Sequence, residues 1–242
     1  MSSPKPDFGP LAATYDELRP ADGNWWELFD LLVREADLVG RRVLDVGCGT
    51  GRVAAALHER GSRVWGVEAS PEMAARARER GVHVKVARAE ALPFKDGWFE
   101  RAVLWLVAHL VDRPAVFAEL SRVLSPDGRI AIATFDPTHF ERYYLNRLFP
   151  SLERIDRSRF PEPETLAEEL RETGLEPRVV RLSQQAEIGR TEALERIRGR
   201  FISTLRLLDE EEFDQGLARA EQELPERVAY ELEWAVVLAT RP

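Results

Sequence analysis

The chain has 242 residues, 44% of them hydrophobic and 31% charged, and a formal net charge of −8. This acidic balance argues against a nucleic-acid ligand, which needs a surplus of Lys and Arg on one face, and no apolar run approaches the roughly 18 residues of a membrane span. Cys48 is the only cysteine, which excludes an intramolecular disulfide and a cysteine metal cluster, so we expect a cytoplasmic protein without a metal site.

Residues 41–53, RRVLDVGCGTGRV, predict a strand, a glycine turn and a helix in succession. The aliphatic residues of 43–46 are typical of a strand buried on both faces. Glycines on alternate positions then allow a sharp turn and close approach to a ligand; they are Gly47, Gly49 and Gly51. Since a helix follows over 52–59, the segment has the architecture of a nucleotide site.

The glycine spacing indicates which cofactor this turn can hold. A dinucleotide site requires G-x-G-x-x-G, but counting from Gly47 places Arg52 at the third glycine, which argues against a dehydrogenase. Asp45 precedes the glycines, and its carboxylate would repel a pyrophosphate and attract an ammonium group. The pattern D-x-G-x-G-x-G resembles the first motif of class I S-adenosylmethionine-dependent methyltransferases.

This resemblance implies that the glycine turn, with the small Cys48 inside it, contacts the methionine moiety of S-adenosylmethionine, and that Asp45 acts at one remove, through a water or a backbone amide. The next strand is predicted over 63–67 and ends at Glu68. An acid at this distance from the first strand binds the ribose hydroxyls, with Ala69 beside it. A solvated Glu at a strand end is the alternative.

The adenine segment follows a helix that begins after the N-cap Ser70 and a short third strand within 82–87. AEALPF, residues 89–94, resembles the family's segment after its third strand, where an acid usually stands two places before the Glu. Arg88 occupies that place here. We therefore expect the backbone of Ala89, together with Glu90, to recognise adenine, while Arg88 stacks on the ring or points away.

Four further strands complete the prediction. The fourth strand is predicted at Phe99–Leu106, and the fifth follows a turn at Ser125–Gly128 and ends near Phe135. The sixth is predicted at Arg178–Leu182 and the seventh within residues 230–242. We predict an α/β, Rossmann-like, doubly wound sheet of seven mostly parallel strands, the last of them antiparallel, as the resemblance implies. Leu106, where the fourth strand ends, is expected to contact the cofactor.

One domain over 1–242 accounts for these elements, with two helical insertions at 137–162 and 187–228. We expect them to cap the carboxyl ends of the strands, where open α/β sheets bind ligands. Residues 1–40 form N-terminal helices, and FGPLAATYDELRP within them resembles the lid of relatives near the ubiquinone and menaquinone biosynthesis group. Tyr15 and Arg19 then face the cofactor, although Tyr15 and Leu11 could merely pack a helix.

Several residues are candidates for acting on the methyl acceptor. His109 stands where many relatives have a His near the acceptor and suits proton abstraction, and Tyr15 is a second catalytic candidate; a packing or capping role for His109 is the alternative. The substrate-binding candidates are Asp136, His139, Tyr143 and Arg200, the last from the run Arg196, Arg198, Arg200. Aromatic core packing and solvent-exposed ion pairs are the alternatives for these.

The sequence thus predicts an enzyme that transfers a methyl group from S-adenosylmethionine to a small molecule, on oxygen, nitrogen or carbon, releasing S-adenosylhomocysteine. Two rivals remain open. One is a protein that binds the cofactor without transfer, as a sensor or assembly factor. The other is an RNA or protein methyltransferase, which would require a basic or peptide-sized groove. The acceptor and the oligomeric state are not readable from the residues.

Overall fold

A seven-stranded sheet in the order β3-β2-β1-β4-β5-β7-β6 runs through the computed structural model, which describes residues 9–241. The strands are β1 (Arg42–Val46), β2 (Arg63–Glu68), β3 (His83–Val86), β4 (Phe99–Trp105), β5 (Leu124–Phe135), β6 (Glu176–Gly189) and β7 (Arg227–Thr240). The helices are α1 (Tyr15–Leu18), α2 (Gly23–Ala36), α3 (Arg52–Glu59), α4 (Pro71–Glu79), α5 (Arg113–Val123), α6 (Pro137–Arg142), α7 (Leu152–Arg159), α8 (Pro163–Glu172), α9 (Arg190–Arg198) and α10 (Glu210–Glu223).

Strand direction in this sheet confirms the predicted fold class. β1 to β5 pair in parallel, whereas β7 is antiparallel to both β5 and β6. Because the parallel strands β1, β2 and β4 end at one edge of the sheet, the segments that follow them lie together there. The sheet therefore brings the glycine turn, Glu68 and Leu106 to a common edge.

The sheet is covered on both faces, as β5 shows residue by residue. Ile130 and Ile132 belong to a core formed with α5 and α8, whereas Ala131 and Ala133 belong to a core formed with α2 and α3. All four side chains are fully buried. This alternation follows from the two-residue period of a strand, and burial on both sides explains why the strand reads as continuously apolar.

A third core fills the cap above the sheet. It joins α7, α9 and α10 with residues 143–149 and the 3-10 turn Ser203–Arg206. Gly216 of α10 lies so close to Phe149 that an added Cβ would come within 2.2 Å of its ring. The helices of the cap lie within the two predicted insertions, and the β6–β7 ladder continues as far as Gly189 opposite Arg227.

Two local predictions were wrong. Ser125–Gly128 belongs to β5 rather than to a separate turn. Phe99 of β4 pairs with Leu124 of β5, and Arg101 pairs with Arg129, so five residue steps in β5 lie opposite two in β4. The segment therefore forms an irregularity within the ladder. The sixth strand has 14 residues and continues beyond Leu182 to Gly189. It is longer than predicted because the residues after Leu182 also pair with β7, alongside the cap. Of the N-terminal segment 1–40, residues 1–8 lie outside the described residues.

Candidate functional site

A cavity of about 460 Å³ lies at the carboxyl ends of the parallel strands. It extends from the glycine turn after β1, below the N-terminal segment, into the third core of the cap. Ligand cavities typically measure about 300–1,000 Å³ and combine apolar walls with a few polar groups. The size and the position are those of a small-molecule site in an open α/β sheet.

The glycine turn presents backbone to this cavity. The amides of Gly47 and Cys48 both donate to the carbonyl of Val67, at 2.7 and 3.0 Å. Gly49 has φ +55°, and an added Cβ there would meet nothing within 4 Å, whereas a Cβ on Gly47 would come within 2.6 Å of Val107. The turn therefore leaves open space in front of Gly49 that a ligand can occupy.

Gly51, predicted as a cofactor residue, does not line the cavity. It has φ +80° and precedes α3, and an added Cβ would come within about 3 Å of Ala77 and Val82. Glycine is required there because a left-handed backbone conformation and close packing against α4 coincide at the residue. Its role is to start the helix rather than to contact a ligand.

Glu68 is held at the cavity by two backbone amides. Its Oε2 accepts from the amide of Gly49 at 2.9 Å, and its Oε1 accepts from the amide of Ser70 at 2.8 Å. Each carboxylate oxygen can accept more than one hydrogen bond. The side chain is thus fixed in orientation and keeps capacity to accept from two hydroxyl groups of a ligand.

Asp45, at the end of β1, is a buried carboxylate on the cavity wall, with 1% of its surface exposed. Its Oδ2 has no hydrogen-bond partner within the described part of the chain. Burial and, less strongly, the charge of Glu68 raise the pKa of Asp45 to about 7, against the opposing effect of a hydrogen bond with the backbone of Ala54. An approaching cation would stabilise the ionised form.

The remaining predicted cofactor residues fall into two groups. One group lines the cavity without large exposed side chains: Cys48, Ala69, Ala89, Glu90 and Leu106. Cys48 packs its Sγ against Gly66, and burial raises the pKa of its thiol, so it is no nucleophile. Arg88 also lines the cavity, but it is two-thirds exposed (67%) and pairs with Glu90 at 3.0 Å.

Leu106 adds strain to this wall. It has φ +55° directly after β4, and its amide donates to the carbonyl of Ala133 at 2.9 Å. A left-handed conformation is rare for a branched side chain and clusters at ligand sites.

The N-terminal segment closes one side of the cavity. Tyr15 and Arg19 line it, with the Arg19 guanidinium 4.2 Å from the centre of the Tyr15 ring. Leu11 packs in a small buried cluster with Ala12 and Met73. The two interpretations of this segment are therefore compatible: Leu11 packs against the domain, and Tyr15 lines the cavity.

A charge cluster that the sequence did not reveal fastens this segment to the glycine turn. Asp16 accepts from the hydroxyl of Thr50 at 2.9 Å and from the guanidinium groups of Arg52 and Arg80 at 2.6 and 2.5 Å. Arg52 also donates to the carbonyl of Arg19. Arg52, which stands where a dinucleotide site requires its third glycine, thus anchors the N-terminal segment.

His109 lines the cavity from a turn, not from the start of a helix. Its ring stacks on Phe160 with centroids 3.9 Å apart, and its buried Nδ1 has no partner in the described structure. Burial, assisted by Arg159 and Arg19, lowers the pKa of His109 well below its ordinary value. The imidazole is therefore neutral at pH 7.

The four substrate-binding candidates separate in the structure. His139 and Tyr143 line the cavity, and burial lowers the pKa of His139 to about 4. Asp136 and Arg200 are not brought to it. Asp136 caps α6 by accepting from the amide of Thr138, and it forms an ion pair with Arg181 at 2.8 Å. Arg200 forms an ion pair with Glu210, and its guanidinium group lies over the ring of Phe213. Of the three arginines in the run, Arg196 lines the cavity instead.

Aromatic rings form the wall that sequence reasoning missed. Phe135 stacks on Trp234 at 4.1 Å and on His139 at 4.2 Å between centroids. Further cavity rings come from α2, β4 and the residue after α7; they are Trp25, Trp105 and Phe160. In sequence these residues are indistinguishable from core side chains, and only their position above the sheet edge exposes them to a ligand. Such walls favour a flat apolar molecule.

Comparisons with known proteins identify the family to which the chain is similar. A family model described as "Methyltransferase domain" matches residues 44–132. The demethylmenaquinone methyltransferase of Thermus thermophilus is 34% identical over 166 residues, which cover 60% of this chain and 74% of that protein. Methyltransferase GfsG of Streptomyces halstedii is 40% identical over 106 residues, covering 39% of this chain and 37% of that protein.

A solved structure shows the same fold. The putative methyltransferase from an antibiotic biosynthesis pathway of Anabaena variabilis superposes with a TM-score of 0.69 at 21% identity, covering 86% of this chain and 96% of that one. In the described range of 9–241, no helix combines the length and apolar character needed to cross a bilayer.

Proposed function

The chain belongs to the class I S-adenosylmethionine-dependent methyltransferases of the UbiE-like type and transfers a methyl group from S-adenosylmethionine to a small molecule; on this premise we propose that the acceptor has a flat, apolar body held between the aromatic wall and the cap. One observation carries the proposal: a single cavity joins the glycine turn to the aromatic wall, with the neutral His109 on its lining.

The residues at the glycine turn fit the cofactor. Open space faces Gly49, the unpartnered Oδ2 of Asp45 lies on the cavity wall, and the Glu68 carboxylate is oriented by two amides. We assign the methionine end to the turn and Asp45, and the ribose hydroxyls to Glu68. The adenine end lies along Ala69, Ala89 and Glu90, with Leu106, Tyr15 and Arg19 completing the enclosure.

The chain's own part in the reaction is to position, to enclose and to accept a proton. Bound S-adenosylmethionine supplies a methyl group on a sulfonium sulfur, which is a good leaving group. The aromatic wall orients the acceptor and the N-terminal segment excludes water. Where the acceptor atom carries a proton, Nδ1 of His109 is the unpartnered base that takes it. Tyr15 lines the cavity as a second candidate for this step.

The unit of function is proposed to be one domain, with residues 1–40 as a lid and 137–162 and 187–228 as the cap. The net charge of −8 and the arginines engaged by carboxylates support a small acceptor over a nucleic acid. A single buried cysteine supports action in the cytoplasm.

A transfer assay tests the proposal against its rivals. The protein is incubated with methyl-labelled S-adenosylmethionine and a cell extract separated into small molecules, RNA and protein. We expect label among the small molecules. Label in RNA or protein, or cofactor binding without any transfer, would contradict the proposal in favour of a macromolecular methyltransferase or a sensor.

The His109→Gln variant tests the base. We expect kcat to fall by about 10²–10⁴ for an acceptor that must lose a proton, with unchanged affinity for S-adenosylhomocysteine. His58→Gln, at a histidine on the exposed side of α3, is the matched control and should keep full activity. Equal kcat values for the two variants would assign His109 to packing.

A further inference from the structure

A buried polar cluster lies in the cap, on the lining of the cavity. Asp156 of α7 is only 4% exposed, and its Oδ1 accepts from the hydroxyl of Thr204. Thr204 in turn accepts from Arg159 at 2.9 Å, and the second guanidinium nitrogen of Arg159 donates to the hydroxyl oxygen of Ser203 at 3.2 Å. The charges of Asp156 and Arg159 are thus bridged by a hydroxyl rather than joined in a direct ion pair.

Two polar atoms of this cluster are left without partners on the side of the cavity. Asp156, Ser203 and Thr204 all line the cavity, whereas Arg159 lies behind them. Among residues 9–241, no donor reaches Oδ2 of Asp156, and no acceptor takes the hydroxyl hydrogen of Ser203. Both groups are therefore open to a ligand in the cavity, which can supply the missing hydrogen bonds.

We propose that Asp156 and Ser203 form a cap subsite that binds a hydroxyl group of the methyl acceptor, away from the atom that is methylated. A hydroxyl satisfies both free groups, since it donates to Oδ2 of Asp156 and accepts from Ser203. The subsite rests on the proposed function, because it takes the cap half of the cavity as the acceptor site.

Other functional groups fit this subsite less well. A carboxylate would be repelled by Asp156. An ammonium gains less from Asp156, because the charge of that carboxylate is already offset by Arg159 through Thr204. The pKa of Asp156 is raised to about 6 by burial against the opposing effects of Thr204 and Arg159, so at pH 7.5 the carboxylate is ionised and acts as an acceptor.

The subsite lies at a defined remove from the proposed base. Phe160, the residue after α7, stacks on His109, and Asp156 lies four residues earlier on the same helix. One helical turn is about 5.4 Å. The subsite and the proposed base therefore lie on the lining of the same cavity.

Two flat probes of equal size test the subsite. 5-Hydroxyindole and 5-methylindole are titrated calorimetrically into the full-length protein saturated with S-adenosylhomocysteine, at pH 7.5. Because a hydrogen bond to a charged group is worth about 1.5–3 kcal/mol, we expect the hydroxyl probe to bind at least about tenfold more tightly. Asp156→Leu should abolish this preference, and Ser203→Ala should reduce it about threefold.

Ser158→Ala is the matched control, because Ser158 lies on α7 with its exposed hydroxyl bonded to the carbonyl of Ile155. It should keep the preference of the wild type. Equal affinity for both probes in the wild type, or an unchanged preference in Ser203→Ala, overturns the subsite and leaves the methyltransferase assignment standing. Failure of both probes to bind in the presence of S-adenosylhomocysteine overturns the apolar acceptor cavity itself.

Discussion

The cofactor end and the cap end of the cavity are built by different means. At the cofactor end, backbone amides and glycines within residues 45–70 orient one carboxylate, so the groups that form this part of the wall are close in sequence. At the cap end, side chains from Trp25 to Trp234 converge on one space. The difference indicates that the cofactor site is a local property of the chain, whereas the acceptor site depends on tertiary packing.

The two ends of the cavity also differ in the charged groups that line them. Carboxylates dominate the cofactor end, where Asp45, Glu68 and Glu90 line the cavity. The cap end has neutral histidines and stacked rings, together with the carboxylate of Asp156 and the guanidinium group of Arg196. The glycine turn is therefore the charge-complementary place for a cationic methyl donor, as the proposed function requires.

The strongest test of this division separates backbone strain from ligand contact. Gly49 and Gly61 both have positive φ, +55° and +89°, and neither would bring an added Cβ within 4 Å of another atom. Alanine at either position should cost about 1 kcal/mol of stability. Only Gly49→Ala should also weaken S-adenosylhomocysteine binding, by at least about tenfold, since only Gly49 faces the cavity.

Isothermal titration and denaturant unfolding of both variants give the two readouts. Equal affinities in Gly49→Ala and Gly61→Ala would show that the glycine turn does not contact the ligand, and the contrast between the two ends of the cavity would fail.

The buried carboxylate at the cofactor end predicts a stability that depends on pH. The pKa of Asp45 is raised from 3.8 to about 7 by burial and by Glu68, so the folded protein binds more protons than the unfolded chain between these values. Stability falls as pH rises through this window. Asp45→Asn should therefore raise the free energy of unfolding by about 1–3 kcal/mol at pH 8 and leave it nearly unchanged at pH 4.

Urea unfolding without ligand, at both pH values, measures this difference. Asp214→Asn, at an exposed carboxylate in the cap helix α10, is the control and should show the same change at pH 4 and pH 8. An Asp45→Asn variant destabilised at pH 8 would mean that the ionised carboxylate is stabilised in the free protein.

A smaller effect is expected from the charge cluster that joins the N-terminal segment to the glycine turn. Asp16→Asn weakens its contacts with Arg52 and Arg80, whose side chains are 17% and 33% exposed. Partly exposed ion pairs contribute about 1 kcal/mol, so S-adenosylhomocysteine should bind about fivefold more weakly and dissociate faster. The difference should shrink at 1 M salt, where the charges are screened.

The pair Asp30 and Arg60 offers a control for that variant, because both side chains are about half exposed and neither lines the cavity. Asp30→Asn should leave the dissociation rate unchanged in stopped-flow displacement. A rate for Asp16→Asn equal to that of Asp30→Asn would mean that the N-terminal segment does not retain the cofactor.

Sequence alone predicted the elements around the glycine turn well because their determinants are local. The strand, the glycine turn and α3 follow one another within 18 residues, 42–59, and Ser70 caps α4 as predicted through the amide of Met73. Gly51 shows the limit even here. Its place in the motif indicated ligand contact, whereas the packing of α4 against it required glycine for a different reason.

The cap end was not predictable in the same way. Asp136 was predicted from its place after the fifth strand and Arg200 from a run of arginines, but Thr138 and Glu210 satisfy them locally. Conversely, Asp156 meets Thr204 across 48 residues, and the rings of the wall read as ordinary core. No spacing rule connects residues so far apart, so their convergence appears only in the folded chain.

Titration with S-adenosylhomocysteine of the dialysed wild type, Glu68→Gln and Glu79→Gln tests the central claim most directly. Glu79 is an exposed carboxylate on α4, with 65% of its side chain accessible, and serves as the matched control. The account predicts micromolar binding by the wild type and Glu79→Gln, and at least about tenfold weaker binding by Glu68→Gln, which loses charge-assisted hydrogen bonds. No binding by the wild type, or equal affinity in all three proteins, would contradict it.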